Sequence, residues 1–122
     1  MPGLLDDDLA EDAVKAMGSV AAHVSLVKAC RDLLKLRGIP VFRLNQRPVQ
    51  NRNGIWSSPG ADMGAPDLIA CLPGGRALFI EVKTGRAMQR PVQRLSFDHW
   101  AANGALCLEV RVITDLEAVL PH

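Results

Sequence analysis

Hydrophobic and polar positions change rhythm several times along this chain, and each change marks an element. From Ser19 to Arg37, Val20, Val24, Val27, Leu33 and Leu34 recur at helical spacing. Gly38 suits the C-cap of that helix, and Lys35 and Arg37 suit its negative dipole end. Pro40 to Asn45 reads as a strand. Leu68-Ile69-Ala70-Cys71-Leu72 is a short unbroken apolar run and reads as a buried strand. Pro73-Gly74-Gly75-Arg76 is turn chemistry, and Ala77 to Lys83 is a second strand, so the two form a hairpin. Pro91 suits the first turn of a helix running to about Asn103, with Gly104 as its stop. Leu106 to Ile113 alternates as a last strand, and Asp115 caps a short terminal helix. The order predicts an α/β fold with an αβββαβ core. Between these elements, Gln46 to Ala65 is a polar, Gly- and Pro-containing stretch that reads as a long loop, a kind often functional in compact domains.

Composition narrows the class. A length of 122 residues fits one modest domain, and 48% hydrophobic residues supply its core. No apolar run is long enough to cross a membrane, and an N-terminus with Asp6, Asp7, Asp8, Glu11 and Asp12 is not a signal peptide. Residues 1–18 read as an acidic leader, either a solvated tail or a short helix, ahead of a domain over 19–122. Net charge is +1, but the first twelve residues hold five acids and no Lys or Arg. The remainder, with fourteen basic and eight acidic residues, carries +6, enough to approach phosphates. Cys30, Cys71 and Cys107 are odd in number and widely spaced, so they read as small core residues in a reducing, cytoplasmic setting.

The candidate chemistry lies in the hairpin. Gly64-Ala65-Pro66-Asp67 leads into its first strand, and Glu81-Val82-Lys83 ends its second, with Glu81 fourteen residues after Asp67. Alternation puts Glu81 and Lys83 on one face and Ile80 and Val82 on the other. An acid and a lysine within an apolar strand are costly to desolvate without a partner. A hard divalent cation held by Asp67 and Glu81 would be such a partner; a surface ion pair is the plainer alternative. Register decides whether the acids meet. A two-residue Gly74-Gly75 loop sets Asp67 opposite Val82, on the wrong face, whereas a three-residue loop pairing Leu72 with Arg76, or an inserted bulge, sets Asp67 opposite Glu81, as the metal-site reading requires. The latter is expected.

These residues, in this order, resemble the VRR-NUC family of the PD-(D/E)xK nuclease superfamily. The likeness spans about residues 20 to 120. It includes Leu34 to Gly38 at the first helix end, Val41-Phe42-Arg43-Leu44-Asn45, Gly64-x-Pro66-Asp67-Leu68 and Leu72-Pro73-Gly74-Gly75-Arg76. Phe79-Ile80-Glu81-Val82-Lys83 follows, then Gln93 eleven residues before Gly104, and Asp115 to Leu120. The resemblance implies a restriction-endonuclease-like core, a mixed central sheet flanked by helices. It also implies a metal-dependent DNA endonuclease selective for branched, Holliday-junction-like DNA, of a stand-alone type found in phages and bacterial mobile elements. Asp67, Glu81 and the Val82 backbone carbonyl would hold Mg²⁺ or Mn²⁺, with Lys83 stabilising developing charge and Gln93 reaching the site from the second helix. The family type implies a homodimer, with a helicase as a further candidate partner.

One departure stands out. Many members place a glutamate near the start of the first helix, where this chain reads Ala22-His23-Val24-Ser25. His23 either substitutes as an accessory group or is structural. Arg43, Arg47, Arg52, Arg86, Arg90 and Arg94 are candidates for phosphate contacts or solvated surface. Trp56 either stacks on an unpaired base or anchors the long loop, and Trp100 with Phe97 reads as core or a subunit contact. Cleavage without structure preference, and DNA binding without catalysis, remain the rival functions.

Overall fold

A computed structural model describes residues 21–44, 49–57 and 64–121. Helix α1 occupies 21–36 of the described chain. It ends in a Schellman motif: Gly38, at φ 72°, donates to the Lys35 carbonyl and Ile39 donates to that of Leu34. Leu34 and Ile39, the two apolar residues this motif brings together, are both buried. Four strands form a sheet in the order β1 (Val41–Arg43), β4 (Leu68–Cys71), β5 (Ala77–Val82) and β6 (Leu106–Val110). β1 and β5 run antiparallel to β4, while β6 runs parallel to β5 after the crossover through α2 (Pro91–Ala102). A short helix, α3 (Ile113–Glu117), follows. The αβββαβ core and its mixed sheet are as expected.

The sheet has two unlike sides. Leu68, Ala70, Leu78, Ile80, Val82 and Val110 share one face and form a single buried cluster with Val27, Cys30 and Leu34 of α1 and with Leu116 and Leu120. Phe79, Glu81, Cys107 and Glu109 alternate onto the other face, where Phe97 of α2 is also buried. There Phe79 meets Trp100 edge to face, centroids 4.9 Å apart. Trp100 itself is half exposed, so it joins the core by one edge only. Phe42, opposite Ile69 in the register, stands 78% exposed on the uncovered part of that face.

The hairpin register is the one expected. Leu68 pairs with Ile80 and Cys71 with Ala77, and the Leu72 amide donates to the Arg76 carbonyl across the three-residue Pro73-Gly74-Gly75 loop. Gly74 and Gly75 both adopt φ near 90°, a region that side chains disfavour.

Several expectations need correction. The stretch from Gln46 to Ala65 is not all loop: β2 (Val49–Gln50) and β3 (Trp56–Ser57) pair as a small antiparallel hairpin. Its turn is built by Asn51, whose side-chain oxygen accepts from the Asn53 and Ile55 amides, and by Gly54 at φ 80°. The last strand ends at Val110 rather than Ile113. The Asp115 carboxylate takes the Arg111 and Val112 amides, which holds its pKa below the usual aspartate range and turns the chain into α3. Asp115 therefore lies within the first turn rather than at its cap. Cys30 is core as expected, but Cys71 is exposed and Cys107 half-buried. The acidic leader, Arg47 and the Trp56 side chain lie outside the described residues.

Candidate active site

Asp67, Glu81, Lys83 and Gln93 converge where the hairpin's open end meets the start of α2. Continuing the β4–β5 register sets Asp67 opposite Glu81 and Pro66 opposite Val82. Hydrogen-bonded pairs alternate along an antiparallel ladder, and counting from Leu72–Arg76 makes Pro66–Val82 one of them. Proline has no amide hydrogen, so at this position the ladder offers no donor to the Val82 carbonyl. The Val82 amide instead donates to Asp67 Oδ2 at 2.8 Å, which ties the aspartate to the Glu-x-Lys tripeptide. A residue's amide and carbonyl point to the same side of a strand, so the Val82 carbonyl faces the edge where Asp67 lies.

Gly64 makes this approach possible. It has φ 86°, and a Cβ there would stand 2.9 Å from the Val92 carbonyl oxygen of α2 and 3.1 Å from Ser96 Cβ. Only a residue without a side chain passes so close to that helix in that conformation.

Glu81 is 4% exposed. Its Oε1 accepts from Lys83 Nζ at 3.0 Å and from Gln93 Nε2 at 2.9 Å. Its Oε2 is buried with no hydrogen-bond partner among the described residues. Burial, then the nearby Asp67 charge, raises the Glu81 pKa above the ordinary 4.5, against the opposing pull of Lys83 and Gln93. Gln93 is equally buried, and its Oε1 accepts from Lys83 Nζ at 3.0 Å and from the Arg90 amide at 3.3 Å. The chemistry of its neighbours sets its orientation, since reversing the amide would turn NH₂ towards an ammonium and oxygen towards a carboxylate.

His23 begins the α1 stripe that continues through Val27, Cys30 and Leu34, and its Nε2 lies 3.5 Å from Asp67 Oδ2. Its helix register thus carries it from the edge of the core to the edge of the site. Arg86, Arg90 and Arg94 are exposed just after β5 and at the start of α2. Arg43 is exposed but shares its sheet face with Leu68, away from Glu81, and Arg52 sits in the exposed β2–β3 turn.

Among the described residues, no group of three or more His, Cys, Asp and Glu side chains is gathered to hold a metal ion. The donors that do fit a hard cation are two carboxylates and a carbonyl: Asp67, the unpartnered Glu81 Oε2, and the Val82 oxygen that the ladder leaves without a donor. All are oxygens, as Mg²⁺ and Mn²⁺ prefer.

Two features were not apparent in the sequence. One is Pro66 as the residue that ends the ladder opposite Val82. The other is the β2–β3 hairpin, for which Asn53-Gly54 between Val49 and Trp56 was an available turn signal.

No family model matches this sequence, and no curated protein matches it. Among solved structures, one described as "VRR_NUC domain" is similar to this chain with a TM-score of 0.59 at 22% identity, covering 80% of this chain and 91% of its own. The fold is that of this VRR_NUC domain. No helix among the described residues is long and apolar enough to cross a membrane.

Proposed function

We propose that this chain is a metal-dependent deoxyribonuclease that hydrolyses phosphodiester bonds at the Asp67–Glu81–Lys83 cluster. The observation that carries this reading is the buried Glu81 Oε2, which has no partner among the described residues although Lys83 and Gln93 both crowd the other oxygen. An unpaired carboxylate oxygen inside a protein is costly, and a hard cation beside it offsets that cost.

A divalent cation held by Asp67, Glu81 and the Val82 carbonyl would supply Lewis-acid polarisation of a phosphoryl oxygen and acidify a bound water. The rest of the chemistry belongs to the side chains. Lys83 has three N–H donors, of which Glu81 and Gln93 engage two. The third is left for an oxygen of the reacting phosphate or the attacking water, where a fixed ammonium stabilises charge that develops in the transition state. Gln93 holds that ammonium in place, and the Val82 amide does the same for Asp67. His23 borders Asp67 and limits its movement on the α1 side. Arg86, Arg90 and Arg94 flank the cluster in sequence and carry the positive charge that draws a phosphate backbone towards it.

Selectivity for branched DNA, and a homodimer presenting two such sites, extend the proposal on the family resemblance. Both are tested together by incubating the protein with junction, flap, linear duplex and single-stranded DNA in Mg²⁺, Mn²⁺ or EDTA, alongside a sedimentation measurement of its mass. Cutting of junctions only in metal, by a dimer, is the expected result. Equal cutting of all forms removes the selectivity, and binding without metal-dependent cutting removes the nuclease.

A further inference from the structure

A cavity lies on the other flank of α2, and none of Asp67, Glu81, Lys83 and Gln93 lines it. It measures about 480 Å³ and opens between α2, β6 and the segment after β5, with Gln89, Arg94, Phe97, Asp98, Glu109 and Arg111 among its walls. That size falls in the usual range for small-ligand sites. Glu109 is the register partner of Glu81 on the neighbouring strand and projects to the same sheet face. The cavity floor is therefore about 5 Å, one strand spacing, from the catalytic glutamate, on the side away from Asp67.

Its chemistry is mixed in a specific way. Gln89 Nε2 is buried and has no hydrogen-bond acceptor among the described residues. Phe97, 93% buried by its 7% exposure, supplies an apolar wall. Arg111 is committed to structure: it donates to the Gly85 and Ala87 carbonyls and pairs with Glu109 at 3.4 Å. Asp98 and Arg94 are different, since neither side chain has a hydrogen bond or ion pair with any described residue. The wall thus offers one sealed donor, one uncommitted carboxylate and one uncommitted guanidinium around an apolar surface.

We infer that this cavity binds an unpaired nucleobase carrying an exocyclic amino group, next to the phosphate held at Lys83. The carboxylate of Asp98 accepts the amine, the half-buried Gln89 side chain turns its amide out of the sealed position to donate to a ring or carbonyl acceptor, and Arg94 meets the nucleotide's phosphate. Adenine, cytosine and guanine present such a donor beside an acceptor; thymine has no amine. The assignment rests on the nuclease reading for the position of the phosphate, but the base preference is measurable without cleavage.

The test uses the intact protein in EDTA and short duplexes with one unpaired adenine, cytosine, guanine, thymine or abasic site, with affinity read by fluorescence anisotropy. The amine-bearing bases are expected to bind about tenfold tighter than thymine or the abasic site, the scale of one good hydrogen-bonded discrimination. Gln89→Leu and Asp98→Ala should each bring that ratio to within about twofold, while Gln89→Leu raises the thermal midpoint by removing an unmet buried donor. Equal wild-type binding to all five DNAs, or an unchanged ratio in Asp98→Ala, overturns the pocket, as does a lowered midpoint in Gln89→Leu with the base ratio intact. The same duplexes in Mg²⁺ keep the two ideas apart. Cutting without base preference defeats the pocket alone, and base preference without cutting defeats the nuclease alone; failure to bind any DNA defeats both.

Discussion

The two faces of β5 place alternate residues of one strand in opposite physical situations. Leu78, Ile80 and Val82 have no exposed surface and pack against α1 and the segment around α3. Phe79 and Glu81 are almost as deeply buried on the other face, yet there a carboxylate oxygen lies without a partner and Trp100 is half exposed. Burial is thus nearly equal on the two sides, while satisfaction is not. The first face is complete as it stands and explains why the strand is where it is. The second is incomplete in protein terms, and incompleteness at a buried charge is a better pointer to chemistry than depth alone.

That contrast can be broken by substitution. The largest effect is expected from Asp67→Asn or Lys83→Ala, which should each lower metal-dependent DNA cleavage by about a thousandfold, the scale of losing one preorganised charged group. Circular dichroism should show both variants folded, because neither belongs to the apolar cluster; cleavage within tenfold of wild type would defeat the assignment. Ile80→Ala, one residue away on the complete face, should reverse the pattern. It should cost about 2–5 kcal/mol of unfolding free energy through lost contacts and a residual cavity. Urea unfolding measures this, and the activity of the still-folded fraction should be retained.

Gly64→Ala sharpens the comparison by acting on position rather than chemistry. The added Cβ meets the Val92 carbonyl oxygen at 2.9 Å, at a φ that alanine disfavours, so a loss of about 1–3 kcal/mol is expected. Because this glycine sets the path of Asp67 past α2, cleavage should fall at temperatures where the variant remains fully folded. Full activity there would show that the aspartate does not depend on that crossing.

The smallest effect is in pH dependence. The folded Glu81 pKa is raised, so in the window from 4.5 upwards the native state holds its proton more tightly than the unfolded chain does. The stability from this group is present below that window and is lost as pH rises through it. In EDTA, the thermal midpoint of wild type minus that of Glu81→Gln should therefore shrink between about pH 4 and pH 7. A difference that grows instead would mean that the Lys83 ion pair outweighs burial.

Much of the fold was legible because it depends on local signals. Helical spacing from Val24 to Leu34, the Gly38 stop, Pro91 near a helix start and the alternation of Ala77 to Lys83 each act over a few residues. The hairpin register was legible only in part, since Pro73-Gly74-Gly75-Arg76 allows a two- or a three-residue loop and only the pairing of two acids favours the second, which the structure has. The strand end at Val110 was missed because Asp115 competes for the amides of Arg111 and Val112, a side-chain contact that alternation does not reveal. The small β2–β3 hairpin was missed because strands of two residues have too few positions to show a period.

What the sequence determined by itself is the set of groups and the order in which the chain delivers them: two acids, a lysine and a glutamine on adjoining elements. Tertiary structure decided which of their atoms are used. Packing α2 across the second face buries Gln93 against Lys83 and Glu81 Oε1, leaving Oε2 buried without a donor among the described residues, and the passage of Gly64 beneath that helix brings Asp67 to the Val82 amide. These relations depend on distances between segments far apart in the chain, and such distances are set by how helices pack on a sheet rather than by the pattern within any one segment.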